Sequence, residues 1–404
     1  NINYLILNFF IIWMLIIFVG SIPLFSIYGN NTLSEIIFLS TSISTTTGFL
    51  LPNAIVIDST MALFWKAIMQ YIGAKYTIIS YLLFFIIFSI KENKSFFLNK
   101  KIIIYFNLTY LFLLLFYTFF LFLLNDNITE NFSISSAILS SGGVINLNDS
   151  ILNDKFTGDI TLITLMFLML FSLFFFPLFI VLIDKKLAKK IYKKFFVKIQ
   201  FILILVFIIY FVLCFFGELP FVENIFLVTS FITTTGILPN NFEEAQVINF
   251  YTPFFMVFIL LIIIGTFSGT SNGGLKIDKI SLIIIKIKEE LNKFIFQHNI
   301  KGIEILKKGS NQNELNSLYA LIAAGSFLAI ISIFIQNLNG ISVRDAFIMT
   351  IGSLTNTGEG LKYLSKVELE ESKNMYFILN LLMICGRFEN IGFLLVIIRL
   401  FKRY

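Results

Sequence analysis

The chain has 404 residues, 57% of them hydrophobic and only 13% charged, with 51 Phe; a water-soluble protein of this size has no means of covering so much apolar surface, so a soluble fold is excluded and a membrane protein is indicated. The formal net charge of +6 comes from lysines gathered in a few loops rather than from a basic face, which argues against nucleic acid as a partner. Two cysteines in apolar runs, Cys214 and Cys385, and a single histidine, His298, supply neither a disulfide framework nor the ligand spacing of a zinc site.

In chain order, apolar runs long enough to cross a hydrocarbon core of about 30 Å predict eight spans, at 4–27, 62–90, 102–124, 159–183, 199–216, 251–285 (interrupted), 317–336 and 374–400. The loops between them alternate in charge. Loop 91–101 carries Lys91, Lys94, Lys100 and Lys101, loop 184–198 carries seven lysines, and basic residues recur after Lys276 and at Arg399, Lys402 and Arg403, whereas 28–60 and 217–250 contain none. The bias of Lys and Arg toward the inner face then predicts a multi-pass protein of the cytoplasmic (inner) membrane with both termini, as the chain is given, in the cytoplasm. The first apolar run is too long for a cleavable signal and lacks basic residues before it, and a start at Asn1 rather than Met suggests a missing N-terminal portion.

The outer loops share one pattern. Ser42-Ile43-Ser44-Thr45-Thr46-Thr47-Gly48-Phe49 is followed by Ser140-Ser141-Gly142-Gly143-Val144, by Ser230-Phe231-Ile232-Thr233-Thr234-Thr235-Gly236-Ile237 and by Ser353-Leu354-Thr355-Asn356-Thr357-Gly358-Glu359. The glycines Gly48, Gly143, Gly236 and Gly358 lie 95, 93 and 122 residues apart. Each unit reads as span, re-entrant loop, span. Backbone leaves helical form at membrane depth only where it lines water or is buried in protein. A dehydrated cation needs replacement oxygens, which rings of backbone carbonyls supply, and glycine allows the angles that aim them. Segments near 32–43, 129–140, 221–231 and 343–353 predict short half-helices whose partly negative C-terminal ends point at the ion. The fold class expected is an all-α membrane protein of four pseudo-symmetric span–pore-loop–span repeats around one central pore, divided as 1–90, 91–183, 184–285, a cytoplasmic linker 286–316, and 317–404.

This array resembles the membrane subunit of the Trk/Ktr potassium transporters, over essentially the whole chain. The resemblance implies a potassium filter at Thr46, Thr47, Gly48 and Phe49; at Ser141, Gly142, Gly143 and Val144; at Thr234, Thr235, Gly236 and Ile237; and at Asn356, Thr357, Gly358 and Glu359. Glu359 replaces a family proline and either adds charge at the outer mouth or is a solvated surface residue. The interruption of the sixth span, Gly265 to Lys276, reads by itself either as a cavity-lining loop or as a cytoplasmic loop after a short span. It resembles the family's gating loop, which implies that role for Gly265, Ser268, Gly269, Thr270, Ser271, Gly273, Gly274 and Lys276. Arg387, amid an apolar run, carries an insertion cost of about 2.5–3.5 kcal/mol and should face a polar cavity. In Cys385-Gly386-Arg387-Phe388-Glu389 it resembles the family's gate-associated arginine and is expected to bond the loop around 266–272; the alternative is a helix–helix clamp.

Leu63-Phe64-Trp65-Lys66 and Gln70-Tyr71-Ile72-Gly73-Ala74-Lys75-Tyr76 resemble a family motif, with Ala74, Lys75 and Tyr76 as departures. Lys75 is a mid-span cation that either alters the pathway or pairs with Glu389. Segment 286–316, rich in Lys and Glu, reads as a cytoplasmic helix and linker. Gly20-Ser21-Ile22-Pro23-Leu24-Phe25 and the fourth loop favour the Trk branch. The function implied is potassium uptake, with potassium as substrate, no cofactor and no enzyme chemistry. The partners implied are membrane lipid, a second copy in a homodimer, and a cytosolic nucleotide-binding regulatory subunit, since no Rossmann or Walker motif is present. The rivals are a non-conducting paralogue acting in assembly or sensing, and a polytopic lipid-modifying enzyme, which the scarcity of His and the fourfold spacing oppose.

Overall fold

The computed structural model describes residues 2–28, 31–51, 60–89, 100–144, 158–183, 220–239, 253–267, 269–295, 312–358 and 373–387. Within them every regular element is an α-helix: α1 (Ile2–Ile27), α2 (Leu33–Ser44), α3 (Thr60–Ser89), α4 (Lys100–Phe122), α5 (Ile128–Ser140), α6 (Asp159–Ile183), α7 (Phe221–Ile232), α8 (Pro253–Ile264), α9 (Ile277–Ile295), α10 (Gln312–Leu338), α11 (Val343–Thr355) and α12 (Lys373–Arg387). Among the described residues, three stretches are helices long and apolar enough to cross a membrane: Asn8–Ile27, Ile103–Phe122 and Leu318–Leu338. The chain is an all-α membrane protein.

Its polarity is inverted relative to a soluble domain. Phe18 and Ile22 on α1, Phe112, Leu115 and Phe119 on α4, and Phe327, Ile330 and Phe334 on α10 are exposed at helical spacing, as stripes that face lipid must be. The hydroxyl-rich C-terminal halves of the short helices are buried instead: Ser40, Thr41, Ser42 and Ser44 on α2, and Ser133, Ser135, Ser136 and Ser140 on α5. Each short helix is enclosed by long ones. α2 packs on α1 and α3, α5 on α3, α4 and α6, α7 on α6 and α8, and α11 on α10 and α12, while α12 also packs on α2. That last contact joins the ends of the chain: one apolar cluster contains Leu24, Phe38 and Phe49 together with Met349, Tyr376 and Met383.

The short helices begin alike. Thr32 N–H donates to Glu35 Oε2 at 2.8 Å, and Ser342 Oγ accepts from Asp345 N–H at 3.1 Å. Glu35, Glu130, Glu223 and Asp345 each occupy the first turn, where a carboxylate favours the free N–H groups and the positive end of the helix dipole. Each of these acids stands thirteen residues before its loop glycine, so helix start and loop share one register in all four units.

Without an apolar solvent contrast to drive them together, membrane helices are held by close packing and hydrogen bonds between them. Ser40 Oγ donates to Ile17 O at 2.6 Å, Trp65 Nε1 to Gly20 O at 3.2 Å and Tyr117 Oη to Leu168 O at 2.9 Å. Tyr117 is fully buried between α4 and α6. Tyr117→Phe keeps its packing and removes one hydrogen bond, so a loss of about 1 kcal/mol is expected, read as a lower melting temperature of the detergent-solubilised protein.

α9 runs on to Ile295 and α10 begins at Gln312, so the segment 286–316, expected to hold a helix and a linker, is helical at both of its described ends, while 296–311 lie outside the described residues. The reason is local: Ile284, Ile287, Leu291 and Phe294 recur at helical spacing beside Lys and Glu, and Lys286 pairs with Glu290 at 3.1 Å one turn on. The fifth expected span, the loops 91–99 and 184–198, and Glu389 lie outside the described residues.

Candidate functional site

The four short helices end in the same backbone. Thr46, Ser141, Thr234 and Asn356 are left-handed, with φ of 52°, 54°, 53° and 52°. Two residues later stand Gly48, Gly143, Gly236 and Gly358, with φ of 93°, 69°, 73° and 50°. Between them, Thr47 N–H donates to Ser42 O at 2.9 Å, Gly142 to Ala137 O at 2.8 Å, Thr235 to Ser230 O at 2.9 Å and Thr357 to Gly352 O at 3.0 Å. This is the wrap of a Schellman helix terminus. Left-handed Thr is disfavoured by about 1–2 kcal/mol, and it persists here because the same bonds recur around it. Thr45 and Thr47 share a hydroxyl hydrogen bond at 2.8 Å, Thr233 and Thr235 one at 2.8 Å, and Thr355 and Thr357 one at 3.1 Å.

The loops converge although they are remote in sequence. A Cβ on Gly48 would overlap Gly142 O, one on Gly143 would overlap Thr235 O, and one on Gly358 would overlap Thr47 O. The first loop therefore touches the second and the fourth, and the second touches the third. Asn356 Nδ2 adds a bond to Thr47 Oγ1 at 2.8 Å. Every expected loop residue that is described, from Thr46 to Phe49, Ser141 to Val144, Thr234 to Ile237 and Asn356 to Gly358, is buried; Glu359 lies outside the described residues. Beyond the glycine, three of the loops turn their next carbonyl away. Phe49 O accepts from Ser42 Oγ at 2.7 Å, Ile237 O from Ser230 Oγ at 2.7 Å, and Val144 O from Lys66 Nζ at 2.7 Å.

Segment 265–276 breaks the helix between α8 and α9 and lies against the C-terminal ends of the short helices. Ser271 Oγ donates to Leu139 O at 3.2 Å, Gly273 N–H to Thr234 Oγ1 at 2.8 Å, and Asn272 Nδ2 to Thr233 O. A Cβ on Gly273 would overlap Thr355 O. Lys276 Nζ folds back onto Asn272 O. The segment thus contacts the second, third and fourth units directly. Arg387, on the last turn of α12, ties it to the first: its guanidinium donates to Ser271 O, to Thr45 O at 2.5 Å, to Thr46 O at 3.1 Å and to Thr46 Oγ1. The bond expected between Arg387 and the loop is made at Ser271. Gly265, Gly269, Thr270, Ser271, Gly273, Gly274 and Lys276 belong to this segment; Ser268 lies outside the described residues.

Asn272 is not among the expected site residues, although it stands inside the motif; its bond to Thr233 O is assignable only once the two loops are in contact. Lys66 and Gln70 carry no assigned role in the sequence motif that contains them; both are fully buried against α5. Lys75 lies with Nζ 5.6 Å from the Tyr71 ring centroid, a cation–π contact. Among the described residues no group of three or more His, Cys, Asp or Glu could hold a metal ion. The oxygens gathered here are carbonyls and hydroxyls, the donors suited to a hard monovalent cation.

Buried loop backbone at the ends of short helices, enclosed by longer helices with exposed apolar faces, defines a polytopic all-α membrane protein. No protein-family model matches the chain. The structure is similar to the crystal structure of the potassium transporter TrkH from Vibrio parahaemolyticus, with a TM-score of 0.78 and 19% identity, over 98% of this chain and 86% of that one. Curated relatives are the Trk system potassium uptake proteins TrkH of Escherichia coli K12, Shigella flexneri and Salmonella typhimurium, each 24% identical over 141 residues, 34% of this chain. The matched stretch spans 28% of the length of those relatives. The fold is that of a Trk-like potassium transporter.

Proposed function

We propose that the chain carries potassium inward across the cytoplasmic membrane, through a single filter formed by the four loops and closed from below by segment 265–276. The observation that carries this reading is the recurrence, in all four loops, of a left-handed residue followed two positions on by a left-handed glycine, with the loops in mutual contact. Potassium enters from outside, sheds water and is coordinated by carbonyls of Thr46–Gly48, Ser141–Gly143, Thr234–Gly236 and Asn356–Gly358. The next carbonyl in at least three loops is tied elsewhere, so the filter is short and discriminates imperfectly against sodium and rubidium. The C-terminal ends of α2, α5, α7 and α11 supply negative potential.

We read as the closed state the arrangement in which segment 265–276 and the Arg387 guanidinium occupy oxygens at the inner end of the filter, Thr46 O among them. Opening requires the segment to swing away from Leu139, Thr233 and Thr234. Inward movement is driven by the membrane potential, about 2.3 kcal/mol per charge per 100 mV. A homodimer with one pathway per chain and a cytosolic nucleotide-binding regulator acting on the segment from the cytoplasmic side complete the reading.

The test is rubidium uptake and growth at low potassium in bacteria stripped of their own potassium importers. Wild type is expected to support both, and Gly236→Ser to lose uptake or selectivity. Absence of uptake by wild type, supplied with a matching regulator, would overturn transport and leave a non-conducting paralogue.

A further inference from the structure

In the first and third loops the carbonyl after the glycine is held by a hydroxyl seven residues earlier on the short helix, Ser42 for Phe49 and Ser230 for Ile237, each at 2.7 Å. The corresponding position in the second unit is Ala137, which has no hydroxyl. Val144 O is nevertheless bound at the same length, by Lys66 Nζ at 2.7 Å. Lys66 reaches it from α3 rather than from the short helix, and a second bond, to Ser133 Oγ at 2.5 Å, fixes the ammonium against α5. Gln70, one turn further along α3, supports the same corner: its Nε2 lies 3.4 Å from Val144 O and its Oε1 accepts from Ser136 Oγ at 3.2 Å. Lys66 is fully buried, so its chain does not run out to water as long basic side chains near membrane surfaces do. A cation taken from water into such a site is tolerated only where oxygens surround it.

We propose that Lys66 is a positioning residue for the second loop, standing in for the hydroxyl that Ala137 lacks, and that it thereby sets ion discrimination at the outer end of the filter. The second half rests on the transport reading; the first does not. The ammonium holds Val144 O away from the conducting path, so the carbonyl of Gly143 is the last that the second loop offers to an ion.

The test is a cycle of Lys66→Met, Ala137→Ser and the double variant, with Lys66→Arg as the conservative change. Two quantities are read: melting of the detergent-solubilised protein, and the ratio of rubidium to sodium uptake. Lys66→Met is expected to lower both, the ratio by about tenfold, as loss of one charge-assisted hydrogen bond implies. Ala137→Ser is expected to recover most of each loss in the Lys66→Met background and to gain less in wild type. Lys66→Arg is expected to keep the ratio within about threefold, because its fork retains the donors. An unchanged ratio in a folded Lys66→Met protein, or a double variant no better than the single, would overturn the proposal. Where Lys66→Met does not accumulate, the double variant decides by the same criterion. Where wild type carries no rubidium, the transport reading fails by itself, and recovery or non-recovery of melting by Ala137→Ser still supports or overturns the pinning of the loop.

Discussion

Gly143→Ala is expected to cut rubidium uptake to below about a tenth of wild type, since 1.4 kcal/mol corresponds to a tenfold change and two separate costs fall on this residue. At φ of 69° any L side chain is strained by about 1–2 kcal/mol. The added Cβ would also overlap Thr235 O, the carbonyl of the neighbouring loop. That oxygen belongs to backbone held by the bond from Thr235 N–H to Ser230 O, so it has no rotamer into which to retreat. The collision falls on the contact between the second and third loops, where the carbonyls proposed to coordinate potassium lie. Gly340→Ala separates the two costs. Gly340 has φ of 91°, but a Cβ there would meet nothing within 4 Å, so it should lower stability by about 1 kcal/mol and leave uptake unchanged. Wild-type uptake by Gly143→Ala, at equal protein amount, would remove the second loop from the pathway.

Arg387→Gln is expected to raise uptake about tenfold in the absence of any regulator. This guanidinium spans from Ser271 O on the segment to Thr45 O, Thr46 O and Thr46 Oγ1 on the first loop, an arrangement proposed above as closed. Hydrogen bonds to a charged group contribute about 1.5–3 kcal/mol each. Only those lost on opening bias the equilibrium, and on the proposed gating the bond to Ser271 is the one that breaks when the segment leaves. The glutamine side chain is too short to bridge both loops. Arg387→Lys should fall between, because an ammonium keeps the charge but lacks the planar fork that reaches several acceptors. Reduced uptake by a normally folded Arg387→Gln protein would make the arginine a clamp between helices instead.

Much of the architecture is legible before folding because the constraints are local. Apolar run lengths follow from the thickness of a bilayer, and a Ser/Thr-rich stretch ending in Gly is incompatible with lipid-exposed helix, so the short helices at 33–44, 128–140, 221–232 and 343–355 fall close to the segments expected for them. The acid thirteen residues before each glycine is a further local signal, visible in the sequence once the helix starts are known. The helix expected within 286–316 is legible for the same reason: the Ile-Leu-Phe stripe among the lysines after Lys276 keeps α9 helical to Ile295.

The membrane class, the fourfold recurrence, the broken helix and the oddity of Arg387 are each properties of a short window, read against the cost of polar groups in hydrocarbon, and the amino-acid order suffices for them. Which oxygen each polar side chain reaches depends instead on how the helices pack. Lys66 and Val144 are 78 residues apart, Asn272 and Thr233 39, Arg387 and Thr46 341. The composition of a single span carries no record of such partners, because a buried donor must find an acceptor but is indifferent to where in the chain that acceptor lies.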